Sequence, residues 1–219
     1  MHKHVVVILP HPDDESFGCA GTVAKFRKEG VPVTYLCGTL GEMGRNMGSP
    51  FFANRETLPE IRKQELINAC NVLDMELVML GLRDKTIEFE SRDEIAEQIK
   101  QYLDKIEPTL VITHYPEYAV HPDHDAMGAA AIEAVKRINP EKRPEVWAQA
   151  ITNDRYDVLG VPDVLQDVKD VFDIKLKAIE CHASQFGGML KKFKENAATT
   201  NDEEIYERFY REEFYRWKF

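Results

Sequence analysis

The chain has 219 residues, 43% hydrophobic and 30% charged, a balance that excludes a disordered polymer and supplies enough apolar surface for one buried α/β core. Its formal net charge of -10 disfavours attraction to nucleic acid or to an anionic membrane surface, so neither is an expected partner. Cys19, Cys37, Cys70 and Cys181 lack the spacing of a zinc knuckle or a disulfide scaffold, and no signal-peptide or membrane-span pattern is present; a cytoplasmic protein with reduced thiols is expected.

Val5 to Leu9 is a continuous apolar, β-branched run, the pattern of a parallel strand covered on both faces. After Pro10 a loop carries His11 to Glu15. Gly18 to Glu29 then reads as a helix stopped by Gly30, and Val31 to Cys37 as the next strand. Gly38 to about Pro59 is rich in glycine and poor in periodicity, which predicts a long surface loop of the kind that carries function.

Ile61 to Leu73 has helical apolar spacing and Leu77 to Leu80 follows as a short strand. Arg92 to Ile106 is amphipathic, with Ile95, Ile99, Tyr102, Leu103 and Ile106 inward, and Pro108 precedes the strand Thr109 to Thr113, which delivers His114. Helices at Ala126 to Ile138 and Asp170 to Gln185 flank a strand at Val146 to Ile151. The alternation predicts a single domain over 1–219: a Rossmann-like α/β fold, its mostly parallel sheet flanked by helices on both faces. The aromatic-rich segment 201–219, with Tyr206, Phe209, Tyr210, Phe214, Tyr215, Trp217 and Phe219, is expected to dock on its own domain or on a neighbouring subunit.

Two segments carry the chemistry, His11-Pro12-Asp13-Asp14-Glu15 and His121-Pro122-Asp123-His124. Each lies beyond the end of an interior strand, and ligands of such sheets bind at the carboxyl ends of strands, so the two can converge in one crevice. His11, Asp14 and His124 can supply three protein ligands to a divalent metal while leaving a position for water. Two imidazoles and a carboxylate with open positions suit either zinc or ferrous iron. Of the adjacent carboxylates, one is expected to bind metal and the other to collect a proton, and spacing does not say which. His121 is placed to donate a proton or hydrogen bond as an amine departs, with Asp123 fixing its tautomer. Tyr118, three residues before His121, could cap the pocket or simply pack. His114 stays outside this set, since a structural hydrogen bond serves a strand end equally well. Gly18-Cys-Ala-Gly21 lacks the third glycine of a dinucleotide fingerprint and follows an acidic loop that would repel a pyrophosphate.

Pro10-His11-Pro12-Asp13-Asp14-Glu15 and His121-Pro122-Asp123-His124 resemble the two hallmark motifs of the LmbE-like, or PIG-L-type, metal-dependent N-deacetylases. That resemblance implies metal ligands at His11, Asp14 and His124, the general base at Asp13, and a charged or proton-donating histidine at His121. It further implies a pocket bordered by Gly41-Glu42 and by Arg62, which could grip a carboxylate or phosphate, and it draws His182, in Lys177 to Gln185, towards the cleft. Chain size, the Arg62 helix and the long loop after Gly41 are similar to the bacillithiol-biosynthesis branch, whose substrate is N-acetylglucosaminyl malate. The implied partner is thus a small sugar conjugate and the implied assembly a trimer or hexamer. Chitooligosaccharide deacetylation and thiol-conjugate amide hydrolysis are the alternatives of like chemistry; a noncatalytic metal- or nucleotide-binding protein is the alternative of another class.

Overall fold

The computed structural model describes residues 2–188 and 209–219. Its strands β1 (Val5–Leu9), β2 (Val33–Cys37), β3 (Glu76–Met79), β4 (Leu110–His114), β5 (Glu145–Gln149), β6 (Val164–Asp167) and β7 (Arg211–Arg216) form one sheet in the order β3-β2-β1-β4-β5-β7-β6. The first five strands pair in parallel, whereas β7 runs antiparallel to both neighbours. The α-helices among the described residues include α1 (Asp14–Gly18), α2 (Ala20–Lys28), α3 (Leu58–Leu73), α4 (Arg92–Ile106), α5 (Pro122–Lys136), α6 (Arg155–Leu159) and α7 (Phe172–Cys181), and residues 183–188 are helical as well. None of these is long and apolar enough to cross a membrane.

Alternation along β1 explains its unbroken apolar run: Val5, Val7 and Leu9 pack on one face with Leu66, Cys70 and Ala178. Val6 and Ile8 pack on the other, with Ile99, Leu103, Ala130 and Ala134. Both faces are therefore covered, by α3 and α7 on one side and α4 and α5 on the other. The chain leaves β1 for β2 and β3, then returns to place β4 on the opposite edge of β1. The crevice beyond β1 and β4 is thus the switch point of the sheet, where such folds bind ligands.

Several boundaries differ from the sequence reading. The expected helix from Gly18 is two helices broken at Cys19, whose φ of -145° is not helical, and the first begins at Asp14. The helix expected from Ala126 begins at Pro122, because Pro122 takes the N1 position where its missing N–H costs nothing. β6 and β7 are absent from the sequence expectation: Val164-Leu-Gln-Asp167 is only four residues long, and Arg211-Glu-Glu-Phe-Tyr-Arg216 carries too many charges to stand out. Within the aromatic segment, β7 docks on its own sheet, with Trp147 opposite Arg216 and Ala148 opposite Tyr215; residues 201–208, Tyr206 included, lie outside the described residues.

Candidate metal centre

β1 ends at Leu9, and the Tyr35 hydroxyl of β2 donates to the His11 carbonyl at 2.8 Å, fixing the turn that lifts His11 above the sheet edge. Asp14 folds back at once: its Oδ2 accepts from the His11 backbone N–H at 2.8 Å while it opens α1. From the other side α5 brings in His124. Gly128 makes this possible, because a Cβ there would lie 2.4 Å from the His114 carbonyl oxygen, so only glycine lets α5 approach the end of β4.

The three expected ligands converge. His11 Nδ1 lies 3.2 Å from His124 Nε2 and 3.4 Å from Asp14 Oδ2, and His124 Nε2 lies 3.2 Å from Asp14 Oδ1. Metal bonds of about 2.0–2.1 Å in tetrahedral array require ligand-to-ligand edges of about 3.3 Å; the two imidazole nitrogens meet that spacing, and the Asp14 carboxylate faces each of them with a different oxygen. The remaining ring nitrogens are held as well. His11 Nε2 faces Asp84 Oδ1 at 3.1 Å and Asp123 Oδ2 at 3.2 Å, and His124 Nδ1 donates to the Ala119 carbonyl at 3.0 Å. Such outer partners set the tautomer and strengthen the ligand.

Electrostatics agree with a cation-ready pocket. Burial opposes a charge on His11, but Asp123, Asp14 and Asp84 outweigh it and its pKa is raised well above the usual value. Burial likewise opposes charge on Asp14, yet His124, His11 and His114 hold its carboxyl well below the usual range.

Asp13 sits beside the trio in an unusual backbone state, φ 113° and ψ -29°, a region that costs a non-glycine residue about 1–3 kcal/mol. Burial pushes its carboxyl up to about 7, against the Arg62 guanidinium that favours the charged form. A carboxylate so poised is matched to proton transfer near neutrality. His121 lies across the cleft, its ring 5.1 Å from His11 and 5.2 Å from His124. Its pKa is lowered by burial and by the two neighbouring imidazoles.

Three expected roles change. Asp123 does not orient His121 with its carboxylate: Oδ2 accepts from His11 and from the Lys85 N–H at 2.6 Å, and Oδ1 from the Ile87 N–H at 3.2 Å. The backbone N–H of Asp123 donates to His121 Nδ1 instead, at 3.2 Å, because His121 is the N-cap of α5. Arg62 is not free to grip substrate; it is buried, donating to Asp13 Oδ2 at 2.9 Å, to the Gly41 carbonyl at 2.7 Å and to the Pro12 carbonyl. Gly41, with φ +59°, leaves the room in which that guanidinium lies. His182 is sealed from the cleft at 0% exposure and bonds Glu15 Oε1 at 2.8 Å.

Glu42 stays at the rim, partly exposed, with Oε1 accepting from the Asp84 N–H at 3.0 Å. The Tyr118 ring packs edge-on against Tyr115 at 5.6 Å, the packing role weighed for it. Two residues left out of the sequence reading belong to the centre. His114 stacks on His124 at 4.1 Å and 9°, with Nε2 3.9 Å from Asp14 Oδ2 and neither ring nitrogen hydrogen-bonded. Asp84 reaches His11 from the loop after β3; only its place beyond a strand end could have drawn notice to it.

Comparison with known proteins identifies a family and its relatives. Residues 6–135 match the family PIG-L, described as GlcNAc-PI de-N-acetylase. A probable N-acetyl-alpha-D-glucosaminyl L-malate deacetylase 2 of Bacillus subtilis is 53% identical, covering 98% of this chain and 97% of the relative. Its namesake from Bacillus cereus is 50% identical over 91% of this chain and 93% of its own length. Among solved structures, the N,N'-diacetylchitobiose deacetylase of Pyrococcus horikoshii superposes with a TM-score of 0.75 at 28% identity, covering 99% of this chain and 84% of that one.

Proposed function

The chain belongs to the PIG-L family of N-deacetylases, and from that premise we propose that it hydrolyses the N-acetyl amide of N-acetylglucosaminyl malate, releasing acetate and the free amine. The observation that carries the substrate is the 53% and 50% identity, over nearly full length, to two proteins named for that malate conjugate. A metal-dependent reaction is typical of the family, and zinc is the ion proposed here, ferrous iron being its competitor for the same donor set. When bound by His11, Asp14 and His124, the ion would lower the pKa of a coordinated water towards neutrality and polarise the acetyl carbonyl.

The residues around it divide the proton work. Asp13 takes the proton of the attacking water, its carboxylate aimed by Arg62. His121 accepts the Asp123 N–H at Nδ1, so its Nε2–H donates a hydrogen bond that stabilises the developing oxyanion, and the proton collected by Asp13 passes to the departing amine. Asp123 and Asp84 hold His11. Glu42 borders the sugar site.

A homo-oligomer, a trimer or hexamer, is the assembly we propose, supported by the exposed apolar side chains of Val158, Val161 and Leu165 near edge strand β6 and testable by light scattering. A cytoplasmic setting is supported by four free thiols.

The deciding experiment measures acetate released from N-acetylglucosaminyl malate, N,N'-diacetylchitobiose and N-acetylglucosaminyl inositol by zinc-loaded protein. The malate conjugate is expected to lead by at least about tenfold in kcat/KM. A preference for diacetylchitobiose would overturn the substrate, and no acetate from any of the three would overturn the activity.

A further inference from the structure

We propose that the buried pair Glu15 and His182 is a positioning device that holds Asp13 in its left-handed backbone conformation, so that His182, although it never meets the cleft, sets the rate of deacetylation through Asp13. This rests on Asp13 being the general base, as proposed above.

The peptide plane joining Pro12 to Asp13 is gripped at both ends. Its carbonyl, on Pro12, accepts from Arg62 Nη2, and its N–H, on Asp13, donates to Glu15 Oε2 at 3.0 Å. Relaxing Asp13 from φ 113° to an ordinary negative value turns this plane about the N–Cα bond, and both hydrogen bonds would break. The carbonyl of Asp13 is engaged by α1, accepting from the Ser16 and Phe17 N–H groups at 3.0 and 3.1 Å. Strain of this kind persists only where the surroundings over-determine it.

Glu15 can hold its end only if its own carboxylate is held. It is 0% exposed, and the donors that reach its Oε1 are the Ser16 hydroxyl at 2.6 Å and His182 Nε2 at 2.8 Å. Ser16 is part of the same turn, so His182 is the anchor from elsewhere in the fold. The segment that brings it is also tied to α3, the helix of Arg62: Ser184 gives its N–H and hydroxyl to Glu65 at 2.7 and 2.6 Å, and Glu65 lies one turn from Arg62. His182 thus braces Glu15 directly, and Ser184 ties the same segment to the helix that carries Arg62.

The test is a double-mutant cycle with His182→Phe, His182→Gln and Asp13→Asn, each assayed as zinc-loaded enzyme for kcat and KM, with bound metal and unfolding midpoint measured in parallel and Asp13→Asn rates read at high enzyme concentration. His182→Phe is expected to lower kcat about 10- to 100-fold with KM and metal content unchanged, the loss that a displaced catalytic group produces. His182→Gln, which presents an N–H near the position of Nε2, should recover most of it. In the Asp13→Asn background His182→Phe should cost nothing further, because its route to the reaction is already cut. An equal loss in both backgrounds, a loss confined to KM, metal content or folded fraction, or an unchanged kcat would each overturn the proposal. Wild-type kcat in Asp13→Asn would instead remove the general-base assignment, and this proposal with it. Should His182→Phe fail to fold, His182→Asn, whose N–H falls short of Glu15, takes its place with the same expectation.

Discussion

Arg62 Nη2 stands 2.9 Å from Asp13 Oδ2, and the same guanidinium bonds the Gly41 carbonyl at 2.7 Å and the Pro12 carbonyl, so one side chain of α3 joins the loops after β1 and β2. Burial raises the Asp13 pKa and Arg62 opposes it. Removing the cation therefore moves proton uptake by Asp13 to higher pH, and the base is charged over a narrower range. Arg62→Ala should shift the acidic limb of the kcat profile upward and lower kcat near neutrality by about 10- to 100-fold. Arg62→Lys should keep the direction of charge but lose the fork, restoring part of the rate. An unmoved limb in Arg62→Ala would disconnect the two residues.

Metal binding should release protons. The raised pKa of His11 means that its ring carries a proton which the ion must displace, so apparent affinity falls as pH falls. Calorimetry in buffers of differing ionisation enthalpy should find net proton release on zinc binding near neutral pH, His124 being raised in the same direction. His124→Ala should abolish stoichiometric zinc. Binding without proton release, or zinc retained by His124→Ala, would contradict this ligand set.

Asp123→Asn keeps the shape but weakens the acceptor that serves His11, Lys85 and Ile87. Zinc affinity, measured by competition with a chelator, should drop about 10- to 100-fold, and Asp84→Asn should act in the same direction. Were Asp123 to work chiefly through His121, affinity would instead hold while kcat fell.

Lys175 Nζ lies 2.7 Å from Glu212 Oε1, both side chains fully buried, and Glu212 also accepts the Gly21 and Thr22 N–H groups at 2.9 and 2.7 Å. Glu212 thus ties β7 both to α7, through Lys175, and to the start of α2. Lys175→Met leaves a carboxylate buried without its counter-charge and should cost about 3–5 kcal/mol in urea unfolding. A change within experimental error would show that the two backbone donors suffice.

Gly128→Ala places a Cβ 2.4 Å from the His114 carbonyl oxygen and must push α5 outward. About 1–3 kcal/mol of stability should be lost. Zinc affinity should fall with it, since α5 carries His124. Loss of stability with affinity intact would mean that the helix end moves independently of its body.

The sequence by itself determined what local pattern can encode. The unbroken apolar runs of β1 and β4 announce buried parallel strands, because a strand covered on both faces has no polar side to alternate. The imidazole and carboxylate clusters beyond them name His11, Asp13, Asp14 and His124, since a metal site needs those side chains close together in a few short segments. Only the tertiary structure decided who stands behind them. Asp84 and His114 are single residues at strand ends, with no spacing to mark them, and they matter through distances of 3.1 Å to His11 and 4.1 Å to His124. Arg62 and His182 read as residues that could meet substrate; the fold turns both inward, onto Asp13 and Glu15, because a buried charge must find its partner wherever packing places it. β7 was hidden by its charges, two of which, Glu212 and Arg216, are satisfied by groups far away in the chain.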